Sequence, residues 1–557
     1  MIHRARISTQ SLENGAMKKY REWNPRQNLL LPASLMDWLP KNHIAYFLLD
    51  VVAELDLTDI ERALQAKDPR GTRPYPPRMM VGLLLYGYCV GVYSSRKLER
   101  ATHENVGFRV LSGGCHPDHS TISEFRKSYL RELSTLFVQV LRLCEKAGLV
   151  KLGHVALDGT KMAGNASKHK ANSYERMTKR EQELGAEVAA LLKEAEKIDA
   201  SEDAKYGKSK RGDELPEELQ RREKRLRKLK EAKEALEAEA AMAHAEHKRT
   251  LAKRAEQVAE AADISARESA KRRAAKSKDI AEKSAQSAKK KAEERLAHAS
   301  AEADRLSRLA VTRSERCEAA SARKNEEDAE QGLEKADDLV LGRSSENMND
   351  DLPSHRVPFD RDGNPKPGAQ RNYTDPDSKI MKSGDGYIQG YNCQTVVDAE
   401  HQVIVSQAVS NQAPDQEHLR SLLNGAVENC GRVPKRFTAD AGYWSEENDR
   451  FCRNLGTDAY ISTARKQHGS SQSSSSASSS NSSKATAKQR MAEKCATEEG
   501  RAIYARRKVV VEPPYGHIKE ARGFRRFMLR GMKSVRAEWA LICASHNLLK
   551  LFHVRTG

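Results

Sequence analysis

The sequence predicts an α/β fold with a mixed sheet, preceded by an all-α region and interrupted by a long helical insert. Three observations carry this. Short runs of strand formers, at 154–158, 390–398, 402–410, 437–440 and 459–463, alternate with helix-patterned segments. From Leu29 to about Leu149 the apolar spacing is helical throughout. From Glu217 to Gln331 there is neither glycine nor proline, and Ala, Glu, Lys and Arg dominate.

The bulk properties narrow the class. A chain of 557 residues is too long for one core. With 31% charged residues and a mean hydropathy of -0.74, part of the length reads as solvated helix. A net charge of +18 favours a polyanionic partner, nucleic acid or an acidic membrane surface. The longest apolar run, Met79 to Tyr93, contains three glycines and a cysteine and is too short to span a membrane. The N-terminal MIHRARISTQ has no apolar signal core. Nine cysteines without a CxxC pair imply neither a zinc site nor a disulfide framework. A reduced, cytoplasmic protein without a membrane partner is expected, nucleoid-associated when bound to DNA.

Residues 1–27 are polar and read as a flexible N-terminus. Residues 28–150 read as a helical domain, with Pro77 suited to the first turn of a helix. Within it, 94–130 reads as short helices with a turn at Gly113-Gly114 and a capping box at Thr121-x-x-Glu124. A helix-turn-helix would bring Ser120, Thr121, Ser123 and Arg126 near a DNA groove. Ordinary helix packing explains the leucines and valines equally well.

The insert, 176–344, carries sparse leucines at Leu219, Leu226, Leu229 and Leu236. One unbroken helix of its Gly- and Pro-free stretch would span roughly 170 Å, so an antiparallel hairpin is more economical. Its mixed charges suit a solvated or coiled-coil arm better than a direct DNA contact. Beyond it, 390–398 and 402–410 form a predicted β-hairpin, and DQEHLRSLLNGAVENC a helix. The serine-rich 466–490 reads as a flexible loop. A long basic stretch, largely helical, runs from about Glu498 to Phe552, with Arg522, Arg525, Arg526 and Arg530 at helical spacing.

Two aspartates end predicted strands. Asp158 follows Val155-Ala156-Leu157 and precedes Gly159; Asp440 follows Phe437-Thr438-Ala439 and precedes Ala441-Gly442. Each alone is an ordinary turn or cap residue. Glu512 follows three valines and precedes two prolines, where an acid also suits a helix start. Residues 501–536 hold eleven Lys/Arg and only two acids, so Glu512 sits in strongly positive surroundings. Two strand-end carboxylates and a third beside a basic helix are what a two-metal phosphoryl-transfer site requires.

The strings NYTDPDSKIMKSGDGYIQGYNCQTVVD and ADAGYW, the set Tyr504, Arg507, Glu512 and Lys519, GFRRFMLRG at 523–531 and ASHNLLKL at 544–551 resemble bacterial insertion-sequence DDE transposases with an N-terminal helical domain. The resemblance covers about 28–175 and 345–557. It implies an RNase H-like catalytic domain formed by 151–175 plus 345–557. It implies Asp158, Asp440 and Glu512 as catalytic ligands of two Mg2+ ions, with Mn2+ a substitute. It also implies that Tyr504, Arg507 and Lys519 touch phosphates; here the Arg507-to-Glu512 gap is one residue longer than the family pattern. Arg522, Arg525 and Arg526 on the basic stretch, and Arg126 in the helical domain, complete the expected DNA contacts. The implied activity is cleavage at an element's terminal inverted repeats and joining of the 3′-OH strands to target DNA, by a homodimer holding two ends. A DNA-binding assembly protein with vestigial acids, and an RNase H-like nuclease that does not join strands, are the other readings.

Overall fold

The computed structural model describes residues 34–66, 73–206, 217–342, 352–384, 386–463 and 486–556. The stretch 1–27 lies outside the described residues, as does the serine-rich 466–490 except for its last five residues.

Seven helices come first: α1 (Ile44–Glu54), α2 (Thr58–Gln65), α3 (Pro77–Cys89), α4 (Ser95–Glu104), α5 (Val106–Ser112), α6 (His119–Ser128) and α7 (Leu130–Lys146). Pro77 occupies the first turn of α3, where its missing N–H costs nothing. The capping box expected at Thr121 does not form. Asp118 caps α6 instead, accepting from the backbone N–H groups and the hydroxyls of Ser120 and Thr121.

The sheet begins with β1 (His154–Ala163); a short β2 (Ala171–Ser173) follows, and then the arm: α8 (Tyr174–Tyr206), α9 (Glu217–Ala261), α10 (Ile264–Leu309) and α11 (Arg313–Leu341). β3 (Gln370–Asn372) pairs antiparallel with β2, so the chain leaves and re-enters the sheet region through one small ladder. The arm is a stack of antiparallel helices rather than one hairpin. The reversals between α9 and α10 and between α10 and α11 contain neither glycine nor proline: Asp263 precedes α10 without a side-chain cap, and Thr312 with Glu315 forms a capping box opening α11.

Leucine is scarce in this arm because alanine does the packing. Ala238, Ala245, Ala252 and Ala259 on α9 are buried at seven-residue intervals. So are Ala274, Ala281 and Ala288, and also Ala285, Ala292 and Ala299, on α10, and Ala322, Ala329 and Ala336 on α11. A seven-residue repeat keeps one seam facing its neighbour. Small side chains let the helices approach closely while their charged flanks stay in water. Met177 and Leu184 of α8 pack on Leu229 of α9 in a more ordinary apolar cluster. At the base, buried Arg371 of β3 pairs with Glu239 of α9. Burial alone would raise the Glu239 carboxyl, but Arg371 and Lys379 outweigh it and hold it at about 2.

The rest of the sheet comprises β4 (Lys379–Ser383), β5 (Gly386–Asp398), β6 (Ile404–Ser410), β7 (Arg436–Ala439) and β8 (Asp458–Ile461), with α12 (Leu419–Cys430) and α13 (Glu446–Leu455) between them. The expected hairpin is β5 and β6, with a register break between Val396 and Val397. β5 runs antiparallel to β1, while β7 is parallel to β1 and β8 parallel to β7. The order β6-β5-β1-β7-β8, with β4 along the first part of β5, is a mixed, RNase H-like sheet. The polar KIMKS of β4 has no apolar stripe that would announce a strand.

The basic C-terminal stretch is not one helix. α14 (Ala487–Ala496) leads into α15 (Glu498–Gly516), a π-turn spans His517–Ala521, residues 522–531 are irregular, and α16 (Met532–Thr556) follows. The irregular segment is fixed by aromatic anchors. Phe524 and Phe527 are fully buried, Phe524 against Tyr88 and Tyr93 and Phe527 against Tyr391 and Trp539. Gly523 and Gly531 supply the positive φ that ends each turn. α16 is buried along most of its length and packs on α3, α7 and β6, so the leading helices share one apolar core with the sheet.

Candidate active site

Register brings the first two acids together. β1 and β7 pair in parallel through Val155–Phe437 and Ala156–Thr438. The same offset carried two residues further sets Asp158 level with Asp440, which follows the last residue of β7; Asp158 does not end a strand as expected but lies midway along β1, which runs on beside β5 to Ala163. β7 ends at this level, and ligand sites of open α/β sheets lie beyond the C-terminal ends of parallel strands. Asp440 accepts from the Gly442 N–H at 2.8 Å in the turn that follows β7.

Three residues of α15 and the π-turn close over β1. Arg507 Nη1 donates to Asp158 Oδ2 at 2.8 Å. The Tyr515 hydroxyl donates to the Asp158 carbonyl at 2.6 Å and lies 2.8 Å from Thr395 Oγ1 on β5. Lys519 Nζ reaches the Lys161 carbonyl at 3.2 Å. Tyr504 lies one turn before Arg507, whose guanidinium sits 5.9 Å from its ring centre. Burial pushes the Asp158 carboxyl upward and the negative Asp440 adds to this; Arg507 and the Gly159 N–H oppose it without cancelling it. Burial disfavours the Arg507 charge, but Asp158, Tyr504 and Asp440 outweigh it and keep it firmly protonated.

Glu512 lies elsewhere on the same helix. It is exposed and makes no hydrogen bond or ion pair with a described residue. Five residues beyond Arg507, it points about 140° away around the helix axis. The expected gathering of three carboxylates is therefore incomplete: among the described residues no group of three His, Cys, Asp or Glu lies close enough to hold a metal. Asp158 and Asp440 supply the hard oxygen donors that Mg2+ prefers, and that ion needs few protein ligands.

The two prolines after Glu512 are accommodated within α15. Pro513 cannot donate to the Val509 carbonyl, and Gln402 Nε2 donates to that oxygen instead, at 3.0 Å. Gln402 sits at a φ of 57° in the β5–β6 turn, where Lys550 also reaches its side chain.

The expected DNA contacts divide. Arg525 and Arg526 are exposed on the irregular segment, Arg525 paired with Glu520. Their backbone runs beside the end of β1, where Phe527 N donates to Ala163 O. Arg522 is only 6% exposed and donates to the Tyr88 and Ile542 carbonyls and to Ser545. Arg126 is 3% exposed and donates to Tyr93 O and Ser95. Both hold loops to helices in the interior and present no charge to a phosphate. Helical periodicity suggested a shared face for Arg522, Arg525 and Arg526, but the Phe524 and Phe527 anchors sort them instead.

The sequence reading missed Lys161, Asn392, Gln394, Asp415 and Tyr443, which form a polar cluster beside the acids. Alternation could have found part of it. Asn392 and Gln394 lie two apart on a strand whose other residues are mostly apolar, and both are fully buried.

Two family models match the chain. A transposase domain (DUF772) matches 33–128, the leading helices through α6, and a transposase DDE domain matches 465–552, which includes α15, the π-turn and most of α16. No curated protein and no solved structure matches. The chain thus carries a transposase domain ahead of the arm and a transposase DDE domain behind it, with an RNase H-like sheet between them, an arrangement consistent with an insertion-sequence DDE transposase.

Proposed function

We propose that this transposase cuts the phosphodiester at each end of a mobile DNA element and joins the released 3′-OH to target DNA in the same site. The observation that carries the reading is the levelling of Asp158 with Asp440 beneath Arg507. Asp158 and Asp440 would hold divalent metal, Mg2+ or in its place Mn2+, and Glu512 would reach the same site from the rim of α15. Bound metal supplies activation of the attacking oxygen and stabilisation of the leaving one.

The protein's share is positioning and charge. In the first step water adds to phosphorus, the P–O3′ bond breaks, and the 3′-oxygen leaves as a hydroxyl carrying a proton that balances the one lost by water. In the second step that 3′-OH adds to a target phosphate and displaces another 3′-oxygen. Arg507 lies beside the acids, where a scissile phosphate would enter, and Lys519 flanks it. Tyr504, Arg525 and Arg526 line the approach and would bind backbone phosphates of the terminal repeat. Two ends must be cut and held together, which two copies of the chain would supply.

The test is cleavage of a duplex carrying the element's end in Mg2+. Asp158→Asn or Asp440→Asn is expected to lower cleavage by about a thousandfold or more while the duplex is still bound. Cleavage at the wild-type rate by either variant would overturn the assignment. Cutting without joined products would leave a nuclease, and binding without cutting an assembly protein.

A further inference from the structure

We propose that Asp415 is a positioning residue for the Asp158–Asp440 pair, a carboxylate that touches neither metal nor DNA and instead fixes the turn from which Asp440 projects. This rests on the metal-dependent reading above. The first observation is the density of its bonding. One oxygen, Asp415 Oδ1, accepts from Lys161 Nζ at 2.9 Å, Asn392 Nδ2 at 2.8 Å and Gln394 Nε2 at 2.7 Å. These donors come from β1 and β5, so Asp415 ties a loop to both strands that flank the acids. Lys161 also donates to the Ala413 carbonyl at 3.0 Å, which fixes the loop two residues earlier.

Two routes lead from Asp415 to Asp440. Gln394 is one: its Nε2 serves Asp415 and its Oε1 accepts the hydroxyl of fully buried Tyr443. Tyr443 N in turn donates to the Asp440 carbonyl at 3.2 Å, so the tyrosine holds the turn that carries the acid. Proximity at Gly442 is the other. A Cβ placed on Gly442 would be crowded by Asp440 Oδ1 at 3.0 Å and would lie at ordinary contact distance, 3.7 Å, from Asp415 Oδ2, so the two carboxylates flank the residue whose N–H binds Asp440.

The same amide reaches the other acid. A Cβ on Gly159, the residue after Asp158, would fall 2.3 Å from Gln394 Nε2. The Gln394 side chain thus occupies the space a side chain at 159 would need, and Asp415 holds it there. Outer-shell partners of metal-binding groups generally change affinity by 10- to 100-fold when removed, without being ligands themselves.

The test is Mn2+ titration of the full chain without DNA, read by electron paramagnetic resonance. Asp415→Ala and Gln394→Leu are each expected to weaken Mn2+ binding by about tenfold or more with unchanged stoichiometry. Asp415→Asn, which keeps the acceptor oxygen, is expected to recover part of the loss. Urea unfolding checks that each variant is folded; Gln394→Leu, which breaks the buried link to Tyr443, gives an independent second arm should Asp415→Ala fail that check. Wild-type affinity in a folded Asp415→Ala or Gln394→Leu chain would overturn the proposal. Loss of one bound ion in Asp415→Ala would overturn it differently, by making Asp415 a ligand. A wild-type chain that binds no Mn2+ would sink the metal-dependent reading itself, and this one with it.

Discussion

Arg507 Nη1 lies 2.8 Å from Asp158 Oδ2, an ion pair 349 positions apart in sequence that joins the first strand of the sheet to the basic helix packed over it. The pair does two opposing things. It neutralises an acid that burial already keeps reluctant to ionise, and it holds a cation where a phosphate would arrive.

Substituting Arg507 therefore separates two effects. Arg507→Met removes the main influence that lowers the Asp158 pKa, so the carboxyl rises further above its ordinary value. Metal binding needs the ionised acid, so the acid limb of the Mn2+-binding profile is expected to move to higher pH. Cleavage at neutral pH is expected to fall by about tenfold to a thousandfold as the phosphate loses its cation. An unmoved acid limb would show that the pair does not tune Asp158.

Exposure predicts which arginines bind DNA. Arg525→Ala and Arg526→Ala are each expected to weaken terminal-DNA binding and to reduce the slope of log affinity against log salt by roughly one. Arg522→Met removes the buried donor to the Tyr88 and Ile542 carbonyls and to Ser545 and is expected to cost about 1–3 kcal/mol of stability. Binding curves at several salt concentrations, with urea melts alongside, check the contrast.

The alanine seam predicts a local failure. Ala288 is fully buried on α10, and Ala288→Leu overfills a contact built for a methyl group. The arm is expected to lose about 1–3 kcal/mol and to unfold at lower temperature than the sheet. Circular dichroism at 222 nm would show an early helical transition, while the near-ultraviolet signal of buried Trp539 persists.

Buried histidines predict acid lability. His154, His418 and His517 are pushed down to about 4, in each case chiefly by burial, and His546 is pushed well below its ordinary value for the same reason. Between their unfolded value near 6.5 and about 4, the unfolded chain binds more protons than the folded one. The stability is thus complete above about 6.5 and lost as pH falls below it. Urea midpoints measured from pH 7.5 down to 5 are expected to decline, and the decline should shrink in His546→Gln.

Much of the fold was legible because it rests on local pattern. The β5–β6 hairpin, the strand end at Asp440 and the helical nature of the arm follow from alternation, turn residues and the lack of helix breakers. The arm's reversals were not legible, since they are marked only by Asp263 ahead of α10 and the Thr312 capping box that opens α11, and such residues also occur in helix interiors. Arg126 and Arg522 were misread for a related reason. Charge pattern gives a side chain's sign but not whether carbonyls are waiting for it in the interior. Asp158 and Asp440 were found because each follows a short apolar strand run, and sheet register then aligned them; Asp440 does end its strand, whereas β1 continues past Asp158 to Ala163. Asp415 was hidden in a loop, where nothing in NQAPDQEH distinguishes a caged carboxylate from a solvated one.

The seven-residue alanine repeat also limits how this protein can vary in size. Both ends of the arm meet at the β2–β3 ladder, so its length is independent of the catalytic sheet. Within the arm, an insertion in one helix keeps the seam in phase only if it adds whole repeats and its neighbour adds the same. Reach therefore changes in steps of about 10 Å, in paired helices, without a single altered residue near Asp158 or Asp440.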